Sequence, residues 1–149
     1  MSKLASADME RLTKLLSDEL GFYESIRNLT EEQTKLLAKD DIEEFNISLD
    51  KREGLIEKIK GLHQESEPLM QSYVSLSENN KNNEIDEIKK KITKTLEICA
   101  ELNEQNITTM RNKTEEHTKK IDEQSAKRKG IGGYAQSVPN VPEIFDKKS

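Results

Sequence analysis

The sequence predicts an all-α protein: an elongated antiparallel helical hairpin within a three-helix, coiled-coil-like bundle, followed by a flexible C-terminal tail. Apolar residues recur at spacings of three and four along most of the chain, which is the period of an amphipathic helix. Hydrophobic residues make up only 32% of the 149 residues and charged residues 36%. This composition favours thin helix-on-helix seams over a thick globular core, because each helix then buries only a stripe.

The first helix is predicted at about residues 4–38. Its stretch "LTKLLSDELGFYESIRNLTEEQTKLL" places leucine, isoleucine and aromatic side chains along one face. A glycine inside a helix costs about 1 kcal/mol relative to alanine. We therefore expect the helix to continue through Gly21.

The second helix is predicted at about residues 41–67, after the short connection "KDDIEEF". Asp40 or Asp41 is expected to cap it, with Glu43 or Glu44 at the capping-box position. A seven-residue repeat then predicts antiparallel coiled-coil packing against the first helix. The predicted seam positions are Ile42, Phe45, Leu49, Arg52, Ile56, Ile59 and His63.

Pro68 is expected to end the second helix after Glu67, since proline lacks a backbone N–H. Residues 69–76 are apolar enough for a helical continuation, and "SENNKNNE" reads as a connector. The third helix is predicted at about 85–127. The expected domain organisation is a helical bundle at 1–129 and a flexible tail at 130–149.

Charge and composition exclude several classes of protein. The net charge of −5 argues against nucleic-acid binding, which relies on Lys and Arg contacts to phosphate. The single cysteine, Cys99, fits a reducing compartment, and no stretch resembles a signal peptide or a membrane span. We expect a cytoplasmic protein without stable membrane insertion.

No residue pattern supports catalysis, a metal site or a cofactor, so we do not expect an enzyme. His63 lies on the predicted seam and is interpreted as a residue at its boundary, and Cys99 as a small buried hydrophobe. Arg52 has two interpretations: an ion pair across the hairpin with a glutamate such as Glu19, or a long stem lying along the edge of the seam.

Two surfaces are candidates for binding a partner. Leu102, Asn103, Asn106 and Met110 share one face of the third helix and form a polar–apolar strip suited to an incoming helix, the alternative being an exposed face without a role. The tail "GIGGYAQSVPNVPEIFDKKS" contains spaced apolar residues, as in a linear motif that becomes ordered on docking, the alternative being an inert tail. Its candidate anchors are Tyr134, Val138, Val141, Ile144 and Phe145.

Four sequence segments, taken in their order along the chain, resemble the FlgN-like family of flagellar export chaperones. They are the first-helix stretch quoted above, "LAKDDIEEFNISLDKREGLIEKIKGL", "LNEQNITTM" and "GGYAQ". The resemblance covers most of the chain, although no single motif is specific. After the tail tyrosine the sequence departs from the family pattern with "AQSVPNVPEIF".

The resemblance implies a chaperone that binds the C-terminal helical ends of hook–filament junction proteins. Such a chaperone prevents premature assembly and presents these type III secretion substrates to the cytoplasmic domain of the export gate. It implies client binding by Leu102, Asn103, Asn106 and Met110, and docking at the gate through Tyr134.

Two other functions are compatible with the pattern. A structural coiled-coil adaptor would homodimerise through its heptads and would have no secretion client. A lipid-surface protein would use "KKIDEQSAKRK", but this stretch lacks the apolar face and aromatic anchors of interfacial helices.

Overall fold

The structure is a computed structural model that describes residues 4–127, with side chains through Glu123. It contains three long helices: α1 at Ser6–Ala38, α2 at Ile42–Val74 and α3 at Asn83–Lys127. A short 3₁₀ helix at Glu78–Asn80 lies between α2 and α3. The described part of the chain has no strand, which confirms the all-α prediction.

The chain divides into two compact units, Met1–Ala100 and Glu101–Ser149. The first contains α1, α2 and the first part of α3, and the second contains the remainder of α3. The expected division into a bundle at 1–129 and a tail at 130–149 stays a prediction, because the tail lies outside the described residues.

The connection between α1 and α2 is a tight turn stabilised by the backbone. Asp40 takes a left-handed conformation with φ 57°. Its N–H donates to the Leu37 carbonyl at 3.2 Å, and the Asp41 N–H donates to Leu36 at 3.0 Å. This is the Schellman pattern that ends helices. Of the two predicted caps it is Asp41 that acts, accepting the Glu44 N–H at 3.2 Å.

Buried positions of α2 recur every seven residues, as the heptad interpretation predicts. The buried line is Phe45, Arg52, Ile59, Ser66 and Tyr73, with Ser48 beside it. The prediction was wrong at Ile42, which is 55% exposed because it is the first residue of the helix. The His63 side chain is 57% exposed, which agrees with its interpretation as a residue at the boundary of the seam.

Helix α2 does not end at Glu67 but continues to Val74 with Pro68 inside it. Proline removes one backbone hydrogen bond. The turns beyond it are held instead by apolar packing, in which Leu69 and Met70 contact a core of five buried residues. These are Leu12, Leu16, Tyr73, Leu76 and Ile85. Residues 69–74 are therefore part of α2 and not a separate helix.

Tyr73 ties the end of α2 to the start of α3. Its side chain is fully buried, and its hydroxyl accepts the Asn82 N–H at 2.8 Å. The hydroxyl proton faces two acceptors, the Asn82 carbonyl at 2.9 Å and Asp86 Oδ1 at 2.8 Å. The Asn82 side chain in turn caps α3 by accepting the N–H of Glu84 at 2.7 Å.

A second core cluster lies further along the hairpin. Ile26 of α1, Ile59 of α2 and Cys99 of α3 are buried together. Phe22, Tyr23, Leu55 and Ile56 are partly buried against them. The first three belong to the seven-residue lines of their helices, so the same repeat positions both clusters.

Removal of the Asp41 cap should weaken the turn. We expect Asp41→Ala to lower the free energy of unfolding by about 1 kcal/mol, since the Glu44 N–H loses its acceptor. Asp41→Ser keeps a side-chain oxygen that can cap the helix, so its free energy of unfolding should remain close to that of the parent. Urea denaturation measures both variants, and equal losses would contradict the capping role.

Tyr73→Phe should destabilise the protein by about 1–3 kcal/mol, because it leaves the half-buried Asn82 N–H without its acceptor. Tyr23→Phe is the matched control, since the Tyr23 hydroxyl makes no hydrogen bond within the described residues. Urea denaturation should show a small change for the control. Comparable losses in both variants would show that the tie between α2 and α3 contributes nothing specific.

Candidate functional site

The predicted client-binding strip lies on α3 within the second unit. Its four members fall at i, i+1, i+4 and i+8, so they share one side of the helix. Asn106 is only 1% exposed, and Leu102, Asn103 and Met110 are half-buried. Both asparagines have interaction partners in this structure. The strip is thus largely covered in this conformation.

The chemistry of the strip suits a helical ligand. A carboxamide offers two N–H donors and one carbonyl acceptor, so Asn103 and Asn106 can bond to backbone or polar side chains. Leu102 and Met110 flank them with apolar surface, and methionine adapts to irregular shapes. An amphipathic helix with polar groups inside its apolar stripe matches this combination.

The predicted docking residues of the tail lie outside the described residues. These are Tyr134, Val138, Val141, Ile144 and Phe145.

Sequence reasoning missed a buried carboxamide on α1. Gln33 is fully buried, and neither its Oε1 nor its Nε2 has a hydrogen-bond partner in the part of the chain that the structure describes. Its position could have been found, because it follows Leu12, Glu19 and Ile26 at steps of seven. A stripe defined only by apolar side chains omits a glutamine that occupies the same repeat position.

Glu19 is a second buried polar residue on the same line, and it is 3% exposed. Its Oε1 lies 3.4 Å from Nδ1 of His63, whose other ring nitrogen lies 3.7 Å from Glu67. The cross-hairpin partner of Glu19 is therefore His63, and the predicted pairing with Arg52 is absent from the described contacts.

Arg52 lies inside the seam and not along its edge, with 7% of its surface exposed. Burial lowers the pKa of its guanidinium, because the charged form loses hydration. The seven-residue line of α2 that contains Arg52 is antiparallel to the corresponding line of α1. Ile26 packs with Ile59, so one heptad further along the hairpin the register brings Gln33 and Arg52 to the same level.

Cys99 behaves as the small hydrophobe expected from the sequence. Its side chain is 5% exposed and packs against Ile26 and Ile59. Burial raises the pKa of its thiol, and the nearby Arg52 and Arg27 oppose this only in part. The thiol is thus protonated near neutral pH and is a poor nucleophile.

A shallow groove lies between α1 and α2. Its lining includes the apolar residues Leu29 and Leu55, together with Gly54, Lys51 and Lys58. It is too open to enclose a small molecule. Among the described residues there is no group of three side chains arranged to hold a metal ion.

None of the helices in the described range combines the length and the apolar composition that a membrane crossing requires.

A family model described as FlgN protein matches residues 4–130, which include the full length of all three helices. No curated protein and no solved structure matches the chain.

We expect Cys99 to react slowly with a thiol reagent in the native protein at about pH 8, because burial both shields the sulfur and raises the thiol pKa. Labelling should be at least about tenfold faster in denaturing urea, where the thiol is exposed. Equal rates in the two conditions would contradict the buried position of Cys99.

Proposed function

Because this chain belongs to the FlgN family, a family of flagellar export chaperones, we propose that it is the chaperone of hook–filament junction proteins. It binds the C-terminal helical ends of these clients in the cytoplasm and prevents their premature assembly. It then delivers them to the cytoplasmic domain of the flagellar export gate, as substrates of type III secretion. The observation that carries this proposal is the family match over residues 4–130.

The client lies along the α3 strip of Leu102, Asn103, Asn106 and Met110. Asn106 is enclosed in the free protein, so the client must displace the side chains that cover it. Ordering a client segment and opening this cover together cost about 2–5 kcal/mol of the gross interaction energy. The resulting moderate affinity suits a chaperone that must release its client at the gate.

The tail is the second docking element. Tyr134 is its first anchor, followed by Val138, Val141, Ile144 and Phe145. Apolar side chains spaced along a segment with two prolines suit recognition as a short linear motif. The export gate is the partner we assign to it, which leaves α3 free for the client.

Calorimetry with the C-terminal helical segment of a junction protein tests the proposal. Binding with a Kd of about 1 μM or tighter is expected for the full chain and for a truncation that ends at Lys129. Loss of binding in the truncation alone would make the tail part of the client site. No binding by either protein, together with a stable dimer in solution, would favour the coiled-coil adaptor.

A pair of variants tests the strip itself. Asn103→Ala should weaken binding of the same segment about fivefold or more, because a half-buried carboxamide is lost. Gln105→Ala is the matched control, since Gln105 is exposed on the same helix and lies outside the strip. Circular dichroism verifies equal helix content. Equal affinities in the two variants would remove Asn103 from the client site.

A further inference from the structure

The carboxamide of Gln33 is the least satisfied polar group in the first unit. The side chain is fully buried in α1, and neither amide atom has a hydrogen-bond partner among the described residues. A buried carboxamide normally makes several hydrogen bonds, since it loses those it made to water. The free protein therefore holds this group in an unfavourable environment.

The buried hydroxyl groups on α1 and α2 do not supply a hydrogen bond to the Gln33 amide. Thr30 donates its hydroxyl proton to the Ile26 carbonyl at 2.7 Å, within α1. Ser48 donates to the Phe45 carbonyl, within α2. Each hydroxyl thus directs its proton to its own helix.

The position of Gln33 on the seam means that its lack of hydrogen-bond partners weakens the packing between helices. It occupies the seven-residue line of α1, one step beyond Ile26, which packs with Ile59 and Cys99. A layer with an unsatisfied amide contributes less to packing than the apolar layers along the same line. Opening the packing over Gln33 therefore costs less than opening one of the apolar layers of this line.

We propose that Gln33 is a client-contact residue, which hydrogen-bonds a polar side chain of the incoming helix once the packing over it opens. This inference rests on the proposed chaperone function and names a residue outside the α3 strip. The favoured ligand is an amphipathic helix with an uncharged carboxamide or hydroxyl inside its apolar stripe. A second carboxamide fits best, because it offers both a donor and an acceptor to the Gln33 amide.

A charged ligand residue at this position is disfavoured. The register of the hairpin brings Arg52 to the level of Gln33, and burial lowers the pKa of the Arg52 guanidinium. A further charge would lose its own hydration on entering the layer, whereas a carboxamide exchanges hydrogen bonds at much lower cost.

Gln33→Met tests the proposal, since methionine keeps the length and unbranched shape of glutamine without the amide. The free variant should melt about 3 °C or more above the parent, because an unsatisfied buried group is removed. Its Kd for the C-terminal helical segment of a junction protein should rise about tenfold, because the client loses its partner. Gln33→Leu should change both quantities in the same directions.

Gly61→Ala is the matched control for stability. Gly61 is exposed in the interior of α2, and an added Cβ meets no atom within 4 Å. Alanine there should raise the melting temperature by about 2–4 °C through helix propensity. The Kd should stay within about twofold of the parent, since Gly61 lies outside the Gln33 layer.

Three results would overturn the proposal. A parent-like Kd in both Gln33 variants would show that the client does not use the amide. A lower melting temperature in both would show that the amide is satisfied in the free protein. An equal rise in Kd for Gly61→Ala would show that stability alone governs affinity.

Failure of the chaperone function is separate, because then the parent protein itself would not bind the segment.

Discussion

The packing of this protein depends on a seven-residue repeat carried by all three helices. Because a strict heptad keeps one line of each helix on the seam, burial follows position along the chain and not residue polarity. The buried line of α2 runs from Phe45 to Tyr73, and that of α1 from Leu12 to Gln33. Charged and polar side chains that fall on these lines are enclosed together with the apolar ones.

Each enclosed polar group meets this constraint differently. The Tyr73 hydroxyl uses the backbone of the α2–α3 connection, and one oxygen of Glu19 uses His63 across the hairpin. Gln33 has no such partner among the described residues. Since an unsatisfied buried group removes stability that an apolar residue would provide, the seam is uneven along its length. Around Tyr73, in contrast, apolar packing and hydrogen bonds coincide.

This unevenness agrees with membership of a chaperone family. A chaperone of helical clients needs a seam that a further helix can enter, and a uniformly apolar seam would resist entry. The low hydrophobic content of 32% limits the depth of the packing, so opening a layer exposes little apolar surface. The Gln33 amide on the seam has no hydrogen-bond partner among the described residues, so it retains the capacity to donate and to accept.

The sequence by itself determined the helical class, the heptad line of α2, the two candidate caps at Asp40 and Asp41, and the likeness to the FlgN family. These features depend on residues close together in the chain, whose spacing sets helix period and capping. Only the tertiary structure decided that α2 passes through Pro68, because the contacts of Tyr73 with the start of α3 hold the turns beyond it. It also decided that the buried Gln33 amide has no hydrogen-bond partner among the described residues, since pairing depends on which side chains of other helices lie within reach.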